Sequence, residues 1–477
     1  MARRDDGMID VELVGDPVTD ESPDREPADS PRPVSGPRRH GLRALAAVIA
    51  AALLALTAGQ AAGEAAADRR DEDLLARFRD VPGIAPSLRE PPTELWRPPV
   101  GAAVAGDLVV AHEPVDGVRR TVGRDARTGA ALWVAPSALD PTDAGVACQP
   151  TADVNPVVLC WVPGGGGMTA QNTDLVVGRR PERLVALDTA DGRIRQDRVI
   201  DSRTIGWAVL GEDLVLALRD DDTVLVERTP LAGGDPLWST RVDLPTRVLA
   251  RDMGVRVSDG LVTVTGPAAA VLDGVDGSVL ATASVPPGAG SPVQVTTSPT
   301  GFVLWATADE GVWYDRTGAA GARLPGGRMR VPIDDGAMPD VVLLDDETAV
   351  QAVDVRDGEV LWRRERVDGV LLRLGGVVMV EDKERLRVLD LSTGRERWSV
   401  RRGLGAATPG TRPVTDGVRV LVPGYDIDAG RRVTAYDLRE GTRDWSVTLP
   451  PRVSALSVSG GVLVGTGDQM VVLGSAP

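Results

Sequence analysis

Short runs of alternating apolar and polar residues, separated by Gly and Asp, dominate the chain from about Leu95 to its C-terminus. An alternation of period two is typical of half-buried β-strands, and Gly and Asp favour the tight turns between them. In "RLRVLDLSTGRERWSV", an apolar strand ends at Asp390, a turn passes through Gly394, and a second strand carries Trp398. No stretch here is long enough for a helical domain, so this part of the chain is predicted to be all-β.

One phrase of fixed spacing, D-x3-G-x3-W, recurs within these strands. Its Asp can accept backbone N–H bonds at the strand end, its Gly allows a positive φ, and its Trp is large enough to pack between neighbouring sheets. The turn-bearing units recur at about forty residues, the length of a four-stranded propeller blade. The four complete copies are Asp125, Gly129 and Trp133; Asp354, Gly358 and Trp362; Asp390, Gly394 and Trp398; and Asp437, Gly441 and Trp445.

This spacing in forty-residue all-β repeats resembles the quinoprotein-type propeller repeat. The repeat is named after pyrroloquinoline-quinone dehydrogenases, but it also occurs in proteins without a cofactor. The resemblance implies a β-propeller that favours eight blades, while a count of hairpins gives nine; eight blades are therefore expected, with seven and nine as the alternatives. The chain ends on the hairpin "GGVLVGTGDQMVVLG" and the domain begins with "TELWRPPV", which carries Trp96. Pairing these two ends would close the ring and remove two exposed sheet edges.

Quinoprotein dehydrogenase activity is the alternative that the resemblance raises. It implies a cofactor stacked between a tryptophan and a disulfide of adjacent cysteines, above a calcium ion held by carboxylate and amide groups. Here Cys148 and Cys160 are not adjacent, no C-x-x-C-H motif is present, and no position matches a catalytic Asp. His40 and His112 are the only histidines, which argues against a metal cluster. We therefore expect no enzyme activity, no cofactor and no metal site.

The two cysteines lie close together in "ACQPTADVNPVVLC", where turn residues separate two apolar runs. A cross-strand disulfide between Cys148 and Cys160 would suit an oxidising compartment, and two buried thiols are the alternative.

The first 92 residues have a different character. Residues 1–41 are rich in charged residues, Pro and Ser, and are predicted to form a disordered cytoplasmic tail. Residues 42–63 contain an uncharged Ala-rich run preceded by an Arg cluster, which predicts a transmembrane helix with its N-terminus in the cytoplasm; a cleaved signal peptide is the alternative. Residues 64–92 are predicted to be a short stalk helix and a Pro-rich linker, and residues 93–477 an extracytoplasmic propeller.

Partner binding is expected at the largest departure from the repeat, the insertion between Trp161 and Leu184. Arg179, Arg180 and Arg183 lie in or beside it and could bind acidic groups. The net charge of -16 argues against a nucleic-acid partner. A single lysine among many arginines indicates a GC-rich, actinobacterial-like source. The sequence thus predicts a non-catalytic, single-pass membrane protein of the bacterial cell envelope, whose propeller is a binding scaffold for a protein partner or a small ligand.

Overall fold

The structure is a computed structural model. It describes the following residues: 65–136, 147–150, 157–162, 166–171, 174–179, 182–200, 203–220, 223–244, 253–285, 292–307, 310–326, 331–345, 349–401, 413–426, 430–450, 453–459 and 461–474. The predicted tail and the predicted transmembrane helix lie outside these residues. Within the described part of the chain, no helix is both long and apolar enough to cross a bilayer.

Residues 69–477 form one compact unit. It begins within a single helix, α1 (65–78), whose sequence is rich in the helix formers Ala, Leu, Arg and Glu. The rest of the unit consists of antiparallel strands in sheets of at most four strands. The predicted all-β class is therefore confirmed.

The first three blades follow the entry strand β1 (Thr93–Trp96). Blade 1 contains β2 (Ala103–Ala105), β3 (Leu108–Val115), β4 (Val118–Asp125) and β5 (Ala131–Val134). Blade 2 contains β6 (Ala147–Pro150), β7 (Val157–Val162), β10 (Arg183–Asp188) and β11 (Ile194–Val199). Between β7 and β10, the insertion forms its own hairpin of β8 (Gly166–Gln171) and β9 (Asp174–Arg179). Blade 3 contains β12 (Thr204–Leu210), β13 (Asp213–Asp220), β14 (Thr223–Pro230) and β15 (Trp238–Val242).

Blades 4 to 6 continue the ring. Blade 4 contains β16 (Gly254–Ser258), β17 (Leu261–Thr265), β18 (Ala268–Asp273) and β19 (Val279–Ser284). Blade 5 contains β20 (Gln294–Ser298), β21 (Gly301–Trp305), β22 (Glu310–Asp315) and β23 (Ala320–Pro325). Blade 6 has three strands, β24 (Val341–Asp345), β25 (Ala349–Asp354) and β26 (Val360–Glu365).

Blades 7 to 9 complete it. Blade 7 contains β27 (Gly369–Leu374), β28 (Val377–Glu381), β29 (Arg385–Asp390) and β30 (Glu396–Arg401). Blade 8 contains β31 (Val414–Thr415), β32 (Arg419–Asp426), β33 (Gly430–Asp437) and β34 (Arg443–Thr448). Blade 9 contains β35 (Val453–Ser459), β36 (Val462–Gly467), β37 (Val471–Gly474) and, as its outer strand, β1.

The blade number corrects the expectation of eight. The described residues form eight four-stranded sheets and one three-stranded sheet, hence nine blades. The preference for eight came from the resemblance alone. The insertion hairpin β8–β9 is a separate two-stranded sheet, so it does not replace any of the nine. The predicted closure is confirmed, because β1 pairs antiparallel with β37 from Thr93 and Gly474 onwards.

Blade 6 departs from the common plan at its inner side. Instead of a fourth strand, the segment before β24 forms a parallel β-bridge in which its Asp334 pairs with Arg373 of blade 7. Arg373 is 4% exposed, and its Nε donates to Asp334 Oδ1 at 2.6 Å. A buried guanidinium needs such a partner, so this ion pair fixes blade 6 to blade 7.

The hydrophobic core lies between adjacent blades. One cluster, for example, joins Val215 and Val226 of blade 3 to Val262 and Leu272 of blade 4. Strand β13 is buried at six consecutive positions because both of its faces pack against neighbours. The middle strands of the blades therefore read as continuous apolar runs, whereas the outer strands alternate.

Candidate functional site

The two faces of the ring are distinguished by the turns that they carry. The turn face carries the turns within the D-x3-G-x3-W motif, which join the third and fourth strands of a blade. The loop face carries the turns between second and third strands, such as 382–384 between β28 and β29. Strand β29 has six residues, so at about 3.3 Å per residue the two faces lie roughly 20 Å apart at this blade.

On the turn face, the Asp of the motif organises its own turn. Asp390 Oδ1 accepts the backbone N–H groups of Ser392 and Thr393, both at 3.1 Å. The Arg397 guanidinium, at 2.6 Å, is the first cause that holds the pKa of the Asp390 carboxyl well below its ordinary value, followed by the Ser392 hydroxyl. Gly394 closes the turn at φ 65°, and its N–H donates to the Asp390 carbonyl at 2.8 Å. The carboxylate is thus fully engaged within its own blade.

The Trp of the motif joins one blade to the next. The Trp398 ring lies so close to Gly441 of blade 8 that a Cβ at this glycine would approach Trp398 Cγ to 2.5 Å. The Trp398 indole N–H donates to the carbonyl of Leu438, the residue after Asp437, at 3.0 Å. We call the contact zone between two adjacent blades a seam. At four other seams a Trp indole N–H donates in the same way to the carbonyl of the residue after the turn Asp: Trp96 to Ala126, Trp133 to Thr189, Trp238 to Gly274 and Trp362 to Leu391.

The seam between blades 8 and 9 is completed by the segment that precedes the propeller. The outer strand of blade 9, β1, is not joined to β37 by a turn, because it comes from the N-terminal side of the propeller. Among the described residues, blade 9 therefore offers Trp445 no motif turn. Instead, the Trp445 indole donates to the Leu88 carbonyl at 2.8 Å. The backbone N–H of Leu88 donates to Asp416 Oδ2 at 2.7 Å, and burial is the first cause that raises the pKa of this carboxyl. Residues near Leu88 thus take the place of the missing turn.

Helix α1 is fixed to the same face by Phe78, which is 1% exposed. Its ring packs against the turn glycines Gly375 of blade 7 and Gly417 of blade 8, where an added Cβ would approach it to 3.1 and 2.5 Å. Arg419 Nη2 donates to Asp71 at 2.9 Å, and the Ala85 N–H donates to the Thr415 carbonyl at 2.7 Å. Residues 69–92, the entry segment, therefore pack on the turn face of blades 7 to 9.

The two cysteines face each other across β6 and β7. Cys148 and Cys160 are paired in register and their sulfur atoms form a disulfide, with a Cα–Cα distance of 4.0 Å. Both residues are buried in the core between blades 1 and 2. The bond thus ties the inner strand of blade 2 to the strand from which the insertion departs.

The three arginines proposed for partner binding are not brought together in one described loop. Arg179 ends strand β9, and Arg180 lies outside the described residues. Arg183 begins β10, where its Nε donates to Asp197 Oδ1 at 2.8 Å within blade 2. Part of the cationic character expected of this insertion is therefore neutralised inside the blade.

A metal site requires several ligating side chains in one place. Among the residues that the structure describes, no group of three or more His, Cys, Asp or Glu side chains could hold a metal ion. The disulfide links residues separated by 12 positions, unlike the adjacent pair of a quinone site. His112 lies on β3, where its Nδ1 is 3.0 Å from Thr121 Oγ1.

The closed ring and its repeated Asp, Gly and Trp contacts define the class of protein. The chain is a β-propeller of quinoprotein-type, pyrroloquinoline-quinone-like repeats. Residues 346–476 match the family described as outer membrane protein assembly factor BamB. The chain is also similar to the outer membrane protein assembly factor BamB of Yersinia pestis, with 23% identity over 320 residues, which cover 65% of this chain and 70% of that protein.

Two solved structures share the fold at low similarity. BamB from Moraxella catarrhalis is 14% identical, with a TM-score of 0.40 over 80% of this chain and 97% of its own. A quinohemoprotein alcohol dehydrogenase from Pseudomonas putida HK5 is 12% identical, with a TM-score of 0.37 over 81% of this chain and 77% of its own. These scores do not distinguish a BamB-like function from that of an alcohol dehydrogenase.

Sequence reasoning missed two kinds of residue. Trp238 is one of the tryptophans that join adjacent blades, although its own blade has no complete motif. The signal that could have revealed it is the turn at Asp273 and Gly277 in the next blade. Phe78 and Leu88 had no such signal, because neither lies in a repeat.

Proposed function

We propose that this protein is a non-catalytic scaffold of the bacterial cell envelope. In this proposal residues 42–63 anchor it in the cytoplasmic membrane, and the propeller lies on the extracytoplasmic side and binds a protein partner. The similar protein from Yersinia pestis is named as a factor in outer membrane protein assembly. That name supports an envelope protein as the class of partner.

The observation that carries the proposal is the packing of the entry segment on the turn face. Phe78, Ala85 and Leu88 hold this segment against blades 7 to 9. Because the entry segment follows the proposed anchor and packs on the turn face, it does not cover the loop face. We therefore propose that the loop face presents the partner-binding surface.

Two further observations support this assignment. The buried disulfide between Cys148 and Cys160 suits a compartment outside the reducing cytoplasm. The motif residues that announce a quinoprotein repeat are engaged in turns and seams, as Asp390 and Trp398 illustrate. They stabilise the ring, and their side-chain contacts are consistent with a structural role.

The chain offers an unusually selective test, because Lys383 is its only lysine. This residue is exposed in the loop-face turn between β28 and β29. A membrane-impermeant amine cross-linker applied to intact cells should therefore capture the partner through Lys383. The captured species is identified by mass spectrometry after purification of the protein.

Two variants control this experiment. Lys383→Arg removes the reactive amine and should abolish capture. The double variant Lys383→Arg/Arg395→Lys moves the amine to an exposed position on the turn face of the same blade, and should capture the partner poorly. Equal capture from both faces, or capture from the turn face alone, would contradict the proposed binding surface.

The quinone-dehydrogenase alternative has a separate test. Purified protein is incubated with pyrroloquinoline quinone and calcium, and its thermal unfolding is compared with that of the untreated protein. A ligand of the native state must raise the unfolding temperature. The scaffold proposal predicts no quinone-dependent shift, and a shift that requires both additions would overturn it.

A further inference from the structure

Exposed apolar side chains collect at the turn-face end of the outer strands. Among the described residues, ten large apolar side chains are exposed. Six of them lie in a turn between a third and a fourth strand, or in the first two positions of the fourth strand. These six, which include all three exposed leucines, form what we call the apolar rim: Leu132 of blade 1, Leu237 of blade 3, Val275 and Val279 of blade 4, and Val360 and Leu361 of blade 6. The other four are valines towards the loop face.

Three residues of the apolar rim form a patch at the seam between blades 3 and 4. Leu237 precedes Trp238, whose indole N–H donates to the Gly274 carbonyl at 3.1 Å, and Val275 follows Gly274. Val279 begins strand β19 directly after the same turn. Leu237 is 58% exposed and Val275 is 80% exposed. The bond that closes this seam thus brings apolar side chains of two blades to the surface together, which is typical of an interaction site.

The rim positions are spread around the ring. Leu132 of blade 1, the patch at blades 3 and 4, and Leu361 of blade 6 follow one another at intervals of two to three blades. The entry segment packs on the remaining arc, at blades 7 to 9. Because three separated points define a plane, one flat surface can contact all of them at once. A compact protein partner would have to cover the whole face to do the same.

The entry segment indicates which flat surface this is. Asp71 and Phe78 hold the segment on the turn face of blades 7 and 8. The predicted transmembrane helix ends at residue 63, only eight positions before Asp71. Eight residues span at most about 28 Å of extended chain, and less here because residues 65–71 are helical. In a protein anchored by residues 42–63, the bilayer surface is therefore close to the turn face.

Charge does not explain a contact between this face and lipid. The chain has a formal net charge of -16, which disfavours attraction to anionic headgroups. In the turn before Val360, Arg356 is paired with Asp354, so its charge is already balanced within the turn. Apolar side chains bury area at a bilayer interface whatever the headgroup charge, so such a contact should persist at high salt.

We propose that the apolar rim contacts the outer surface of the cytoplasmic membrane, so that the turn face is directed towards the lipid and the loop face away from it. This inference rests on the proposed function, because it requires the anchor at residues 42–63. Leu237 and Val275 insert between the headgroups, where burial of their side chains favours one orientation of the ring.

The test uses the full-length protein reconstituted in liposomes of zwitterionic phosphatidylcholine. An environment-sensitive fluorophore is attached at Val275→Cys; Cys148 and Cys160 are joined in the disulfide, so only the introduced thiol reacts. Lipids that carry a spin label near the headgroup should quench this fluorophore, and high salt should not relieve the quenching. Val100→Cys is the matched control, since Val100 is a valine of similar exposure, 75%, in the loop-face connection into blade 1. Its label should not be quenched.

Further substitutions assign the contact to the rim. Leu237→Asp/Val279→Asp, added to the protein labelled at Val275→Cys, should greatly reduce the quenching. Val134→Asp/Val199→Asp changes exposed apolar residues at the loop-face ends of two outer strands and should leave the quenching unchanged. All four positions are exposed, and circular dichroism checks that each variant is folded. Equal effects of the two pairs would contradict a contact made by the rim.

Flotation of the liposomes separates this inference from the proposed function. Protein that does not float with the lipid would contradict the anchor, and with it both the proposed function and this inference. Protein that floats while the Val275 label stays unquenched would overturn the membrane contact and leave the anchor intact. Equal quenching of the labels at Val275 and Val100 would also overturn it, because neither face would then be directed towards the lipid.

Discussion

The indole N–H of Trp445 donates to the carbonyl oxygen of Leu88 at 2.8 Å, across a separation of 357 residues. At five other seams the acceptor belongs to the residue after the turn Asp of the following blade. The entry segment therefore supplies, at the last seam, the carbonyl that a repeat supplies elsewhere. It is a structural part of ring closure, in addition to β1.

Replacing Phe78 by Ala should release the entry segment from the turn face. Truncating a fully buried Phe costs about 3–5 kcal/mol, so the segment should open more often in the variant. Limited trypsin digestion should then cleave at Arg79 and Arg89 faster than in the parent protein. Glu72→Ala, at an exposed position of α1, is the control and should leave the cleavage rate unchanged. Equal protection in both variants would show that Phe78 does not hold the segment.

Replacing Gly441 by Ala should destabilise the seam between blades 7 and 8. The added Cβ would lie 2.5 Å from Trp398 Cγ, and the backbone has φ 72°. Gly461 has nearly the same φ, 73°, with open space around it. Gly461→Ala therefore reports backbone strain alone, about 1 kcal/mol, and Gly441→Ala adds an overpacking cost of about 1–3 kcal/mol. Urea unfolding measures the difference, and equal losses would contradict the close Trp–Gly contact.

The ion pair between Asp390 and Arg397 should make stability depend on acid pH. Because the pKa of Asp390 is lowered in the native state from its ordinary value of 3.8, its contribution is complete above that value and is lost as the pH falls towards the native pKa. Asp390→Asn removes the charge and should reduce the free energy of unfolding by about 1–2 kcal/mol at pH 7. The difference from the parent protein should shrink below pH 4.

Arg397→Gln is the partner control for this prediction. It removes the first cause of the lowered pKa and should reproduce much of the loss at pH 7. A deficit in the Asp390→Asn variant that stays constant from pH 7 to pH 3 would show that the carboxylate charge contributes nothing.

Reducing the disulfide should lower the unfolding temperature of the parent protein. Cys148 and Cys160 are separated by 12 positions, and closing a loop of this length stabilises a fold by about 3 kcal/mol in the chain-entropy account. The double variant Cys148→Ser/Cys160→Ser should melt lower without reductant and be insensitive to dithiothreitol. A parent protein whose melting is also insensitive, although its thiols become titratable, would contradict a stabilising role.

The repeated part of the fold was readable from the sequence because each unit carries its own signal. Period-two alternation located the strands, and Asp390, Gly394 and Trp398 fixed a turn and a seam residue in a single phrase. Ring closure followed from an unpaired strand at one end and an unpaired hairpin at the other. Nine blades lie within the expected range, and only the preference for eight was wrong, because the resemblance was weighed above the hairpin count.

The remaining features depend on contacts that no local pattern encodes. Phe78 packs against turns of blades 7 and 8 that lie more than 290 residues away in the sequence. The repeat itself does not indicate that these turns contact a segment outside the propeller. The apolar rim is assembled from four blades, so no single repeat reveals it. The motif places Val360 and Leu361 at the start of an outer strand, but only the packed ring shows that their side chains stay exposed.

We propose that the loop face lies outside the cell and is not covered by the entry segment. A membrane-impermeant, amine-reactive biotin reagent tests it most directly, because the chain has one lysine and its N-terminal amine is predicted to be cytoplasmic. In intact cells the reagent should label the protein at Lys383, as mapped by mass spectrometry, and Lys383→Arg should remove the label. Labelling of Lys383 only after the cells are broken open would contradict the proposed topology.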